Sequence, residues 1–144
     1  MILAMDPAPA ARDRARRVGA DQVFDVGQVA SDEFAVALEA SGAPASLAQL
    51  LRTVAVGGTI VQLGNLPLDP IALPLALLVS HELDLRGAFR FTDEMDRALA
   101  VLRETPAADD LITHTFPLER VGEAFAVAAD GGASCKVMLE IDAS

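Results

Sequence analysis

Short apolar runs of strand character alternate with helical runs along the whole chain, and this alternation limits the fold more than any other feature. The strand-like runs are ILAM (2–5), QVFDV (22–26), AVALE (35–39), TIVQLG (59–64), LDLRGAFRF (83–91), LITHTF (111–116) and CKVMLEI (135–141). Helical runs fall between them, over Pro9–Val18, Ser46–Val54, Leu75–Glu82, from Thr92 to Glu104, and from Pro117 to Asp130. Punctuation agrees with this division. Gly19 sits where a helix ends, Pro44 where one can begin without losing a hydrogen bond, and Leu47, Leu50 and Leu51 share one helical face. Gly57-Gly58 ends the second helix as a turn, and Thr92 with Asp93 and Glu94 suits the positive end of the fourth. The segment NLPLDPIALP (65–74) holds three prolines and reads as a structured loop. Strands that alternate with helices build an α/β domain with a largely parallel sheet and flanking helices. A chain of 144 residues can bury a core of that kind within one domain's usual size.

Charge and composition exclude several partners. The net charge of −10 opposes nucleic acid or an anionic membrane surface, because phosphate binding needs a basic face. The arginines between Arg12 and Arg17 read as a solvated helix face. No apolar run approaches the ~20 residues of a membrane-spanning helix, and no basic segment precedes an apolar one as in a signal peptide. A cytoplasmic location is the expectation. Cys135 is the only cysteine. It forms no disulfide within the chain, cannot with two histidines supply the common zinc ligand sets, and reads as a small buried residue of the last strand.

In a parallel α/β sheet, ligands bind at the carboxyl ends of the strands. Those ends carry Asp6, Asp25, Glu39 to Gly42, Leu63 to Asn65, and Ala88 to Arg90. Asp6 has two readings: a carboxylate that accepts both hydroxyls of a ribose and repels a 2′-phosphate, or a cap for the helix after it. No G-x-G-x-x-G, P-loop or G-x-S-x-G motif is present. Glu119 and Glu123 are spaced as a solvated helix pair. His81 reads as a capping or surface residue, and His114 as facing solvent or a partner domain.

Several stretches, in one order, resemble the zinc-type medium-chain alcohol and polyol dehydrogenases. LEASGAPASLAQLLRTVAVGGTIVQLGNLP (38–67) is similar to that family's fourth strand, helix and fifth strand, with its acid-x-Ser/Thr-Gly signature and Gly-Gly-Thr strand. SHELDLRGAFRF (80–91) resembles the Arg-Gly, aromatic-Arg strand that follows, and LITHTFPLERVGEAFAVAADGGASCKVMLEI (111–141) the C-terminal end. Asp6 to Asp21 resembles the second strand and its helix. The resemblance covers essentially the whole chain, and the stretch NLPLDPIALPLALLVSHELDLRGAFRF places it nearest the polyol branch, L-idonate 5-dehydrogenase-like proteins especially.

The resemblance implies a partial Rossmann-type domain over 1–91 and a segment over 92–144 that in the family returns to the catalytic domain. The implied activity is hydride transfer from a secondary alcohol to NAD, with this chain as the C-terminal, cofactor-binding portion, inactive when isolated. The alternative is a non-catalytic remnant that serves as an oligomerisation or binding module. Asp6 would hold the adenosine ribose and favour NAD over NADP. Ser41 and Gly42 would line the adenosine side, Leu63 and Gly64 would border the nicotinamide ribose, and Ala88, Phe89 and Arg90 would lie along the carboxamide. The strand Leu85–Phe91 would pair across a twofold axis in a homodimer. Departures from the family are definite. The first strand, the glycine-rich loop, the zinc ligands and the proton relay are not in this sequence, Ala11 stands where the family often has Arg, and His81 stands for its usual lysine. Binding of NAD by the chain alone is therefore expected to be weak or absent. The link Gly27–Glu33 is short for a crossover helix and is expected to cross as a loop. The missing strand is central in the order 3-2-1-4-5-6. Either its two neighbours pair directly, or another chain fills the slot, or residues upstream of this sequence supply it.

Overall fold

The computed structural model describes residues 1–28 and 34–141. All but Gly27 and Gln28 of the Gly27–Glu33 link lies outside the described residues. The chain divides into two compact units, one built from 1–28 with 93–144 and the other from 29–92.

In the first unit, β1 (Leu3–Met5) pairs in parallel with β2 (Gln22–Phe24), and α1 (Pro9–Arg17) connects them. Pro9 opens α1 where its missing N–H costs nothing. Gly19, at φ +108°, closes it, and the Ala20 N–H returns to the Ala15 carbonyl at 2.9 Å. Arg16 and Arg17 of α1 are exposed, as a solvated face requires, but Arg12 is more engaged. Arg12 donates to the carbonyls of Asp6 (2.6 Å) and Pro7 (2.9 Å) and lies 3.4 Å from the Asp25 carboxylate.

The same unit contains α4 (Met95–Glu104), a 3-10 turn over Pro106–Leu111, and β6 (Ile112–Pro117), which pairs in parallel with β7 (Lys136–Glu140). The expected helix from Pro117 starts as a 3-10 turn (Leu118–Arg120) and becomes α5 at Val121–Ala128. Phe116, Ala124 and Ser134 are buried here, and the Ser134 hydroxyl donates to the Val127 and Asp130 carbonyls. Cys135 departs from expectation: it is exposed. It precedes β7, and its N–H donates to the Thr113 hydroxyl at 3.0 Å, outside the alternation that would have buried its side chain.

The second unit holds the three-stranded parallel sheet β3-β4-β5, with β3 at Phe34–Glu39, β4 at Val54–Gln62 and β5 at Asp84–Gly87. Helix α2 (Pro44–Thr53) covers one face and α3 (Ala76–Ser80) follows the proline-rich loop. Leu47 and Leu51 of α2 are fully buried against Val54, Ile60 and Leu83, with Ala37, Leu66, Leu73, Leu77 and Leu78 packed around them. Burying each such side chain contributes about 1.5–3 kcal/mol.

The boundaries of β4 and β5 differ most from the sequence reading in this unit. Strand β4 begins at Val54 and runs through Gly57-Gly58. The register jumps there, Phe34 facing Val54 and Val36 facing Thr59, and Gly57 at φ +76° takes up the slack. Strand β5 stops at Gly87, not Phe91, because Arg90 turns the chain at φ +62°.

Every described strand pair is parallel, as a Rossmann-type sheet requires. Among the described residues, β1-β2, β3-β4-β5 and β6-β7 form separate sheets.

Candidate cofactor edge

The candidate site residues fall into two groups, one in each unit. In the second unit they meet at the carboxyl ends of β3, β4 and β5. Glu39 ends β3 with its side chain only 2% exposed. Its carboxylate accepts the Ser41 N–H (3.0 Å), the Ser41 hydroxyl, the Gly42 N–H (2.9 Å) and the Gln62 amide (2.5 Å). Its backbone carbonyl accepts the N–H groups of Leu63 (2.7 Å) and Gly64 (2.9 Å). The Gln62 amide also donates to the Gly64 carbonyl at 2.8 Å, and the Ala88 N–H donates to the Gln62 carbonyl at 3.0 Å.

Ser41, Gly42, Leu63, Gly64 and Ala88 are thus tied to one hub. Ser41 has no free hydroxyl to offer: it donates to Glu39 and accepts the Ala43 N–H at 3.1 Å. Gly42 lies at φ +71°, and a β-carbon on it would collide with the Asn65 carbonyl. One on Gly64 would collide with the Gly42 backbone. Two glycines therefore let the loops after β3 and β4 touch backbone to backbone.

Phe89 and Arg90 extend from this cluster. Phe89 is exposed, and the Arg90 guanidinium stacks 4.8 Å from its ring centre.

Burial pushes the Glu39 carboxyl up, but the Ser41 hydroxyl, the Gly42 N–H, the Gln62 amide and the Ser41 N–H together hold it below the ordinary carboxylate value. No ion pair to Glu39 occurs among the described residues. Sequence pattern places Glu39 at a strand end and as the acid of the acid-x-Ser/Thr-Gly signature, but it does not mark Glu39 or Gln62 as a hydrogen-bonding hub. Two signals were available: an acid closing the apolar run AVALE, and Gln62 as the sole polar side chain within IVQLG.

Asp6 stands at the carboxyl end of β1 in the first unit. Its Oδ1 accepts the Ala8 N–H at 2.8 Å, so the helix-entry role is occupied by one oxygen, and Oδ2 takes no hydrogen bond among the described residues. Asp6 also lines a groove of about 350 Å³ with Ala11, Arg14, Leu111, Ser134 and Cys135.

Neither histidine joins a catalytic pair. The His81 N–H caps α3 and its carbonyl accepts the Gly57 N–H, while its Nδ1 is buried without a partner among the described residues. Glu119 and Glu123 are both exposed, as a solvated pair would be, and Arg120 bridges Glu123 at 2.6 Å. No three His, Cys, Asp or Glu side chains are grouped to hold a metal ion among the described residues, so the side chains present do not fit a zinc site. No described helix is long and apolar enough to cross a membrane.

The sequence profile of zinc-binding dehydrogenases matches residues 1–104. Mouse sorbitol dehydrogenase is 30% identical over 154 aligned positions, which take in 98% of this chain and 43% of the mouse enzyme. L-idonate 5-dehydrogenase from Escherichia coli K-12 superposes with a TM-score of 0.87 at 28% identity, over 97% of this chain and 42% of that one. An alcohol dehydrogenase from E. coli CFT073, solved with NADH, gives a TM-score of 0.82 at 19% identity, over 96% of this chain and 44% of the other. The chain thus spans less than half the length of the relatives it matches.

Proposed function

Because the chain belongs to the zinc-binding dehydrogenase family, we propose that it is the C-terminal, cofactor-binding portion of an NAD-dependent polyol or alcohol oxidoreductase. The observation that carries this reading is the closed hydrogen-bonded cluster at the carboxyl ends of β3, β4 and β5. That is where an open parallel sheet receives its ligand. Two of the relatives, sorbitol dehydrogenase and L-idonate 5-dehydrogenase, carry polyol-type names and exceed one quarter identity to the chain, which favours a secondary alcohol as substrate.

Bound NAD would supply the two-electron hydride acceptor needed to oxidise a secondary alcohol to a carbonyl. The chain's own residues bind and orient. Asp6 would accept ribose hydroxyls through Oδ2, the oxygen without a protein partner, and its charge disfavours a 2′-phosphate. Gly42 and Gly64 offer backbone without side chains, and Leu63 borders the same surface. Ser41 contributes its backbone, since its hydroxyl is engaged by Glu39 and Ala43. Ala88, Phe89 and Arg90 would lie beside the carboxamide. No step is assigned to zinc, because no described side chains gather to hold it, and the isolated chain is accordingly proposed to be inactive.

Strand β5 is an edge of its sheet, and a homodimer through Leu85–Phe91 goes with the proposal, its sheet-pairing part confined to Asp84–Gly87. A cytoplasmic location goes with it too. The second reading, a non-catalytic oligomerisation or binding module, draws on the same edge of the β3-β4-β5 sheet.

NMR with isotope-labelled chain tests the cofactor reading. NADH at millimolar concentration should move the amides of Gly42, Gly64 and Ala88 and the Asp6 side chain, with weak affinity, and NADPH should move them less. Shifts confined to other residues, or none, would favour the binding-module reading.

A further inference from the structure

Four donors and no acceptor converge on the Glu39 side chain: two backbone N–H groups, one hydroxyl and one amide NH₂. A group with two acceptor oxygens and no proton answers that set, and only an ionised carboxylate has it. The cost of burying the charge is met by neutral donors rather than by a cation.

What these bonds hold is specific. Ser41 and Gly42 begin the loop after β3, and Gln62 ends β4. Gln62 then fixes the Gly64 carbonyl, and Gly64 is the residue whose missing side chain admits Gly42. We propose that Glu39 is a positioning residue: its carboxylate locks the loops after β3 and β4 into one rigid, side-chain-free backbone wall at the edge where the cofactor would lie. The inference rests on the cofactor reading for what the wall faces, but the lock is a property of the unliganded chain.

The two are separable by experiment. Backbone hydrogen exchange, followed by NMR on the full chain without cofactor, reads the lock. In Glu39→Gln an NH₂ replaces one acceptor and faces other donors. Exchange at Ser41, Gly42 and Gly64 should rise at least tenfold while that of Leu51 and Ile60 stays within twofold. Ser41→Ala, which removes one bond and is far less liable to unfold, should raise Gly42 exchange severalfold. Ser41→Thr, which keeps the hydroxyl, should restore it. A residue that merely fills space would not distinguish Ala from Thr in this way. Unchanged exchange at Gly42 in both Glu39→Gln and Ser41→Ala overturns the lock, and so does equal exchange in Ser41→Ala and Ser41→Thr. NADH titration of the same samples reads the other half. If NADH shifts no amide in the unsubstituted chain while the exchange pattern holds, the cofactor reading fails and the lock stands.

Discussion

Gly42 and Gly87 are both glycines near the carboxyl edge of one sheet, and their substitution should differ sharply. A β-carbon at Gly87 would meet nothing within 4 Å, whereas at Gly42 it would strike the Asn65 carbonyl in a backbone already at φ +71°. The left-handed conformation alone costs a non-glycine residue about 1–3 kcal/mol, and the backbone collision adds to it. Gly42→Ala should therefore lower stability by at least that amount and Gly87→Ala by a few tenths of a kcal/mol, as measured by urea unfolding. Glu39 supplies a pH dependence at the same scale. Its carboxyl is held below the ordinary value of 4.5 in the folded chain. The stabilisation is complete above that value and is lost as pH falls through the lower, folded-state value. Glu39→Gln should flatten the acid limb of the stability profile below about pH 4.5, while unsubstituted chain shows the fall. The sequence offered Gly42 and Gly64 as site residues through family resemblance, yet not the reason both must be glycine. That reason is a contact between residues 42 and 64–65, and no local spacing encodes it.

Elements show where such reading succeeds. Helices α1 and α2 lie where their prolines and apolar spacing put them, since capping and periodicity are local. Gly57-Gly58 looks like a turn by local rule, yet β4 runs through it because the partner strand absorbs the irregularity, which is a cross-strand fact. Local pattern extends β5 to Phe91, and nothing in AFRF announces the positive φ of Arg90. Two substitutions test the element assignments. Leu51→Ala on the buried face of α2 should cost about 2–5 kcal/mol. Leu99→Ala on the exposed face of α4, at 44% exposure, should cost well under half of that. On the dimer proposal, the Ala88 N–H points to β4, so by alternation the Gly87 N–H points to the free edge of β5. Proline at 87 would remove only the outward donor. Gly87→Pro should turn a dimer into a monomer in light scattering with an unchanged circular dichroism spectrum. A dimer that persists would remove β5 from the interface.

At the scale of the whole chain, the family's order of strands is legible from the order of motifs, but the share of burial that each part achieves is not, because it depends on contacts between elements. Burial is divided unequally between the two units. The continuous cluster Leu47, Leu51, Val54, Ile60 and Leu83 lies wholly within residues 29–92. Among the described hydrophobic side chains of the other unit, Phe116 and Ala124 are buried but neither fully, and Met95, Leu99, Val101 and Leu102 of its α4 are all exposed. Protection from exchange follows local burial, and units with few buried contacts open at lower free energy. The two units should therefore not unfold as one. In native-state hydrogen exchange against increasing denaturant, the amides of α2 and β4 should be the slowest and should share one opening free energy. Those of α4 and β1 should exchange through a separate opening, at a denaturant concentration well below the first. A single opening free energy common to both sets would show instead that the units are thermodynamically one, and that the buried cluster around Leu51 sustains the whole chain.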